Sequence, residues 1–296
     1  CFGSPFNSQP KTRIHKFFER HNPMPSLKFW PLILLASLLC TRPASAEDKE
    51  VEPIKVTLIA TANGIEAGKT FTVVIHQKMR PGFHTYWQNP GTLGMALQMD
   101  WQLPPGFRAG PIQWPIPMIT KMAAYNVWGY ENEALLLVDM EAPANLKTGS
   151  TVLLSGTAIW MCCGKSCHPG GGELALTLPV VQKVQPHPSW EQAIRKTRAE
   201  QPVASPQWRL ECKRKDQTYS LTVRHGSADS IRSLGQVRFF GYDRLVSSDQ
   251  GERISHNGNS ITLTMQHEEH TGDEKLGHLR GILVAEKDWE TGRRVL

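Results

Sequence analysis

The 296-residue chain predicts an all-β protein: two tandem antiparallel β-sandwich domains joined by a short helical connector. Three observations carry that expectation. Short runs rich in β-branched residues recur at 55–60, 71–77, 134–140, 151–160 and 173–180, and again at 219–224, 236–240, 260–266 and 281–285. No helical segments alternate with them, as a parallel βαβ sheet would require. The length also corresponds to about two domains of roughly 100–200 residues. Composition agrees, since 40% hydrophobic residues can fill packed cores. With 24 Gly and 21 Pro but no Gly-X-Y period, collagen-like and low-complexity classes are excluded. Six cysteines in a chain this long do not make a disulfide-stapled miniprotein.

Residues 1–46 read as an address. The apolar run 31–40 is too short for a bilayer span of about 20 residues. Lys28 precedes it and Ala44-Ser45-Ala46 follows as a small-residue cleavage site, the order of a secretory signal peptide. Met24 can start a compact version, which makes 1–23 an upstream extension; the chain opens on Cys1. Lys11, Arg13, Lys16, Arg20, Lys28 and Arg42 against Glu19 place +5 of the formal +6 charge in this leader. The remainder carries +1, which removes the electrostatic case for nucleic acid. It keeps four cysteines, Cys162, Cys163, Cys167 and Cys212, and no later run of transmembrane length. The expected product is soluble, periplasmic and without a direct membrane span.

The elements then follow in order. A first domain over 47–183 begins with two strands separated by turns at Asn63-Gly64 and Ala67-Gly68. Proline-rich stretches at 104–105 and 111–117 cannot be central strand. The connector, 184–204, holds one helix over 190–200, with Ser189 as N-cap and Gln192 completing a capping box. A second β-sandwich spans 205–296. In it, His267-Glu268-Glu269-His270 lacks the i, i+4 spacing of a zinc-binding H-E-x-x-H and predicts a solvated turn. Cys212, among Lys213, Arg214 and Lys215, predicts a packed thiol at a strand edge.

Chemistry concentrates between 160 and 170. Strand 151–160 runs into this segment and strand 173–180 runs out, so Cys162, Cys163 and Cys167 sit on a hairpin-like connection. Cys163 and Cys167 can bridge if the loop folds back, because a disulfide needs Cα atoms roughly 4.4–6.8 Å apart. A bridge in so tight a loop is expected to be labile, and Lys165 and His168 would favour a thiolate there. Gly164 and the glycines at 170–172 leave little bulk in the way of a partner. Three readings stand on these residues alone: thiol–disulfide exchange, an inert structural staple in an interaction module, and a soft-metal site. The metal reading takes Cys162, Cys163, Cys167 and His168, with copper favoured by nine Met and eleven His in the chain.

Four segments in order resemble a known family. Phe83-His84-Thr85-Tyr86-Trp87-Gln88-Asn89-Pro90-Gly91 is similar to W-H-T-Y-W-x-N-P-G, and Gly110-Pro111-Ile112-Gln113-Trp114-Pro115 to G-P-I-x-W-P. Gly129-Tyr130-Glu131-Asn132-Glu133 is similar to G-Y-E-G-E, and Trp160 through Pro169 to W-x-V-C-x-x-x-C-x-P. Together they resemble the N-terminal periplasmic domain of the DsbD family of thiol:disulfide interchange proteins, including its ScsB-like copper-tolerance branch. A weaker likeness lies at 279–284. The resemblance implies an immunoglobulin-like fold and a redox pair at Cys163 and Cys167. It implies a thiol:disulfide oxidoreductase of the protein-disulfide reductase type, with a membrane-embedded electron donor and periplasmic thiol–disulfide clients as partners. Exchange requires no cofactor. Cys162 falls where the family has an apolar residue and so reads as a buried small hydrophobe. Tyr86, Trp87 and Tyr130 would either shield the pair or fill the core. Cys163 is the expected attacking thiol. The family's N-P-G-D-S-G appears as Asn89-Pro90-Gly91-Thr92-Leu93-Gly94, which loses an acid, and Gly164-Lys165-Ser166 replaces a bulkier stretch. The family's membrane conduit and thioredoxin domain have no counterpart before Leu296, which predicts a separate donor or a split or truncated form.

Overall fold

A computed structural model describes residues 52–269, 278–290 and 292–296. The leader and His270 lie outside the described residues. The strands are β1 (Ile54–Ala60), β2 (Thr70–Met79), β3 (His84–Tyr86), β4 (Gln98–Gln102), β5 (Arg108–Gln113), β6 (Met118–Met122), β7 (Tyr125–Glu131), β8 (Glu133–Glu141), β9 (Thr151–Cys163) and β10 (Cys167–Pro179). Helix α1 (Pro188–Ala199) follows, then β11 (Arg209–Lys215), β12 (Thr218–Arg224), α2 (Ala228–Ser233), β13 (Val237–Gly241), β14 (Glu252–Asn257), β15 (Ser260–Gln266) and β16 (Gly281–Ala285). The chain is all-β, and every pairing between these strands is antiparallel.

In the first half, one sheet runs β1-β2-β8-β5 and the other β10-β9-β3-β7-β6, with β4 also pairing to β9. Val73, Ile75, Leu136 and Val138 of the first meet Leu154, Ala158, Trp128 and Tyr130 of the second in one core. Pro111 sits in edge strand β5, beside a register shift between Ala109 and Ile112, where a missing N–H is tolerated.

The run Ala134-Leu135-Leu136-Leu137-Val138 does not alternate because β8 is buried on both faces. Its outer face, with Leu135, Leu137 and Val74, is covered by Trp190, Ala193 and Ile194 of α1. The helix is therefore a cover for the first sheet as well as a link. It begins one residue before the expected cap: His187 is the N-cap, makes no side-chain cap bond, and Pro188 opens the helix. Proline fits there because the first helical N–H would be unpaired anyway. Arg198 anchors the far end, donating to Asp139 Oδ1 at 2.6 Å and Thr72 Oγ1 at 2.6 Å. Burial opposes the Asp139 charge, but the bonds from Arg198, Thr72 and Gln113 outweigh it and hold the carboxyl below its ordinary value.

The second half has sheets β11-β12-β15-β14 and β13-β16. Leu221, Val223, Ile261 and Leu263 of the first join Phe239 and Leu283 of the second in the core. Strands β11 and β14 were not legible from alternation because their residues are almost all exposed, at the sheet's two edges. Cys212, on β11, is exposed rather than packed, and burial of its thiol still raises its pKa. The predicted solvated turn at 267–270 is also corrected. His267 and Glu268 are buried, His267 Nδ1 lies 3.0 Å from the Leu245 carbonyl, and Glu268 accepts a 2.6 Å bond from Thr92. The charged residues look like a surface turn in sequence, but their partners come from chain segments far away. Among the described residues no helix is long and apolar enough to cross a membrane.

Candidate functional site

Strands β9 and β10 extend past their predicted ends until Cys163 and Cys167 stand opposite one another in register. The three-residue tip Gly164-Lys165-Ser166 closes with a 2.9 Å bond from Gly164 N to the Ser166 carbonyl. Directly opposed residues of an antiparallel pair have Cα atoms about 4.5–5.5 Å apart. Here the separation is 4.1 Å, and the two cysteines form a disulfide.

Alternation along β9 then decides the fate of each cysteine. Val152, Leu154, Ala158 and Cys162 face the inter-sheet core. Cys163, one residue on, turns to the outer face of the same sheet. Cys162 is a free thiol whose burial pushes its pKa up to about 11, so it is neutral and packed as the small hydrophobe expected.

Cys163 is fully buried although it faces outward, while Cys167 is exposed. The cover over Cys163 is local. Strand β3 pairs with β9 at His84↔Cys163, which puts His84 and Tyr86 on the same face as the disulfide. Tyr86 and Val127 pack with Cys163, flanked by Leu93, Met122 and Met161. Burial raises the Tyr86 pKa to about 12, and it lowers that of His84, whose Nε2 lies 3.3 Å from the Tyr86 hydroxyl. Both rings are therefore neutral at physiological pH. Phe83 lies over the hairpin tip: a Cβ on Gly164 would come within 3.1 Å of its ring and 2.8 Å of the Gly82 carbonyl. The Phe83 ring also meets His168 edge-on at 5.7 Å.

Of the three aromatics singled out in the sequence, only Tyr86 borders the disulfide. Trp87 and Tyr130 take the core alternative. Trp87 packs against Trp128, Phe240 and Tyr242. Tyr130 faces the core opposite Thr85 and donates 2.8 Å to the Pro115 carbonyl. Lys165 is exposed at the tip, and His168 Nε2 lies 2.8 Å from Ser166 Oγ. The set Cys162, Cys163, Cys167 and His168 is not gathered as ligands: Cys162 is in the core and the other two thiols are bonded together. Among the described residues no group of three or more His, Cys, Asp or Glu is placed to hold a metal ion. Leu93, Val127, Met122 and Met161 were missed in the sequence. They come from β6, β7, β9 and a loop, and their gathering around Cys163 depends on the order of strands in the sheet, which is not visible in one strand's pattern.

Residues 51–179 match the family model of the N-terminal domain of the thiol:disulfide interchange protein DsbD. This segment belongs to that DsbD N-terminal family. The crystal structure of the N-terminal periplasmic domain of ScsB from Proteus mirabilis is similar in fold, with a TM-score of 0.56 at 16% identity. That match covers 80% of this chain and 90% of the ScsB domain, so the likeness extends beyond the DsbD segment into the second half. A family 123 glycoside hydrolase from Clostridium perfringens matches at 11% identity over 47% of this chain and 29% of its own. A marsupial T cell receptor matches at 13% identity over 80% and 99%. Their TM-scores of 0.21 and 0.17 do not indicate a shared fold. No curated protein matches the chain. The DsbD segment thus carries its disulfide at Cys163–Cys167, at the tip of its longest hairpin.

Proposed function

We propose that this protein is a periplasmic thiol:disulfide oxidoreductase that passes reducing equivalents through Cys163 and Cys167. The observation that carries this reading is the asymmetry of the disulfide: one of its cysteines is buried, the other is exposed beside the hairpin tip. The donor would be a membrane-embedded partner of the DsbD type, and the acceptors periplasmic thiol–disulfide proteins.

The exposure of Cys167 supports an order of attack opposite to the expected one, with Cys167 rather than Cys163 as the attacking thiol. A donor thiolate reaches the Cys167 sulfur, forms a mixed disulfide and breaks the bond to Cys163, which leaves as a thiolate and takes up a proton. The donor's second thiolate attacks its own sulfur in the mixed disulfide, releasing Cys167 as a thiolate and leaving the donor oxidised. Two electrons have then moved to this protein. In the outward step Cys167 attacks a client disulfide and Cys163 resolves the mixed disulfide, so the client is reduced and the pair reforms.

Thiol trapping in glutathione or dithiothreitol buffers of defined potential tests the reading. The pair should titrate above about −300 mV, whereas a bond still intact below that range is a structural staple. With client disulfide present, Cys163→Ser should accumulate a mixed disulfide at Cys167. Accumulation only in Cys167→Ser would return the attacking role to Cys163.

A further inference from the structure

Besides Tyr86 of β3, two elements contribute to the cover over Cys163: the loop carrying Leu93 and the start of β7, which carries Val127. Both are held by the second half, through residues 241–249 and Glu268. Asn89 is buried, and its Nδ2 donates to the carbonyls of Gly241 at 2.9 Å and Asp243 at 2.8 Å. Thr92 N donates to Ser248 Oγ at 2.9 Å, and Thr92 Oγ1 to Glu268 Oε2 at 2.6 Å. Ser248 Oγ also donates to the Asn126 carbonyl at 2.8 Å, and Asn126 N donates to Asp249 Oδ1 at 2.8 Å. The approach is close on both sides of the loop. A Cβ on Gly91 would fall 2.2 Å from Ser248 Oγ, and one on Gly94 2.2 Å from the Tyr86 ring. The contacts form a continuous path from Ser248 and Glu268, through 89–94 and Asn126, to Tyr86 and Val127, and so to Cys163.

We propose that Ser248, with Thr92 and Glu268, positions the wall over Cys163 and thereby makes Cys167 the sulfur that partners reach. The second half is then a working part of the redox site although none of its described residues packs against the disulfide. Thr92 replaces an acid of the DsbD-like motif, and a hydroxyl suits this place. It can donate to the buried Glu268 carboxylate, whereas a second carboxylate would repel it. The inference rests on the proposed exchange function only for its consequence. The wall itself is testable without exchange.

The test reduces the full-length protein with a phosphine and measures alkylation of Cys163 and Cys167 separately by peptide mass spectrometry. In the wild type, Cys167 reacts first. Ser248→Ala and Thr92→Val should each raise the Cys163 rate relative to Cys167 by about fivefold or more, the scale of a typical coupling between sites. Thr222→Val removes the Thr222–Thr262 contact elsewhere in the second half and should leave the ratio unchanged. The same variants should shift the glutathione equilibrium of the pair in the order of their alkylation ratios. An unchanged ratio in Ser248→Ala and Thr92→Val, with melting curves showing a folded protein, overturns the proposal. So does a rise in Thr222→Val equal to theirs, which would mark general loosening. If the wild-type pair resists exchange at every potential while the ratios move as expected, the exchange function fails and the positioning role stands.

Discussion

Adjacent residues Cys162 and Cys163 point to opposite faces of β9, so the thiol of one titrates inside the core and the sulfur of the other belongs to the site. Burial holds the Cys162 thiol protonated from its ordinary 9.0 up to about 11. The unfolded chain ionises first, so this contribution to stability is complete below about pH 9 and is lost as pH rises to about 11. Urea midpoints of Cys162→Ala should therefore fall less steeply than those of the wild type across that window, although its stability at neutral pH is lower. An equally steep fall in both would show that folding leaves the pKa of Cys162 unshifted. Gly94 supplies a second test at this scale. Its φ of +112° and its contact with Tyr86 exclude a side chain. Gly94→Ala should lose at least about 1 kcal/mol, from the backbone alone, in a denaturation curve.

At the scale of the element, α1 shows how a helix flagged by its prolines and helix formers found its place. The sequence marked its extent within two residues at each end, yet not its role, because the apolar strip it covers lies on β2 and β8. The unbroken apolar run 134–138 is the signal that both faces of β8 need cover. Arg198 secures the helix to β2 and β8 with charge-assisted bonds in a partly exposed setting, which limits their worth. Arg198→Ala should cost about 1–2 kcal/mol in urea denaturation. Arg198→Lys should recover only part of it, since an ammonium cannot reproduce the planar fork. The Asp139 carboxyl is depressed by these bonds, so their contribution is present above its unfolded value of 3.8 and fades as pH falls below it. The stability gap between wild type and Arg198→Ala should shrink accordingly in acid.

At the scale of the whole molecule, the two halves share a core rather than meeting at a wet surface. Phe240 of β13 lies 6.1 Å from Trp87 and 5.5 Å from Trp128, edge-on to both. The described residues fall in one compact unit. Tryptophan fluorescence and far-ultraviolet dichroism should therefore report a single coincident thermal transition; two separated transitions would show halves that unfold independently. Phe240→Ala should remove about 3–5 kcal/mol and lower that one transition as a whole.

The sequence by itself determined the all-β character and five of the ten strands of the first half, and its motifs singled out Cys163 and Cys167, because alternation and short motifs act over a few residues. It did not reveal the exposed edge strands, whose side chains carry no burial pattern. Only the tertiary structure decided that Cys163 is covered and Cys167 presented, that Trp87 and Tyr130 belong to the core, and that Glu268 is buried. Each of these depends on register between strands or on contacts across more than a hundred residues. A single strand's pattern encodes which of its faces is apolar, but not what another part of the chain will lay upon it.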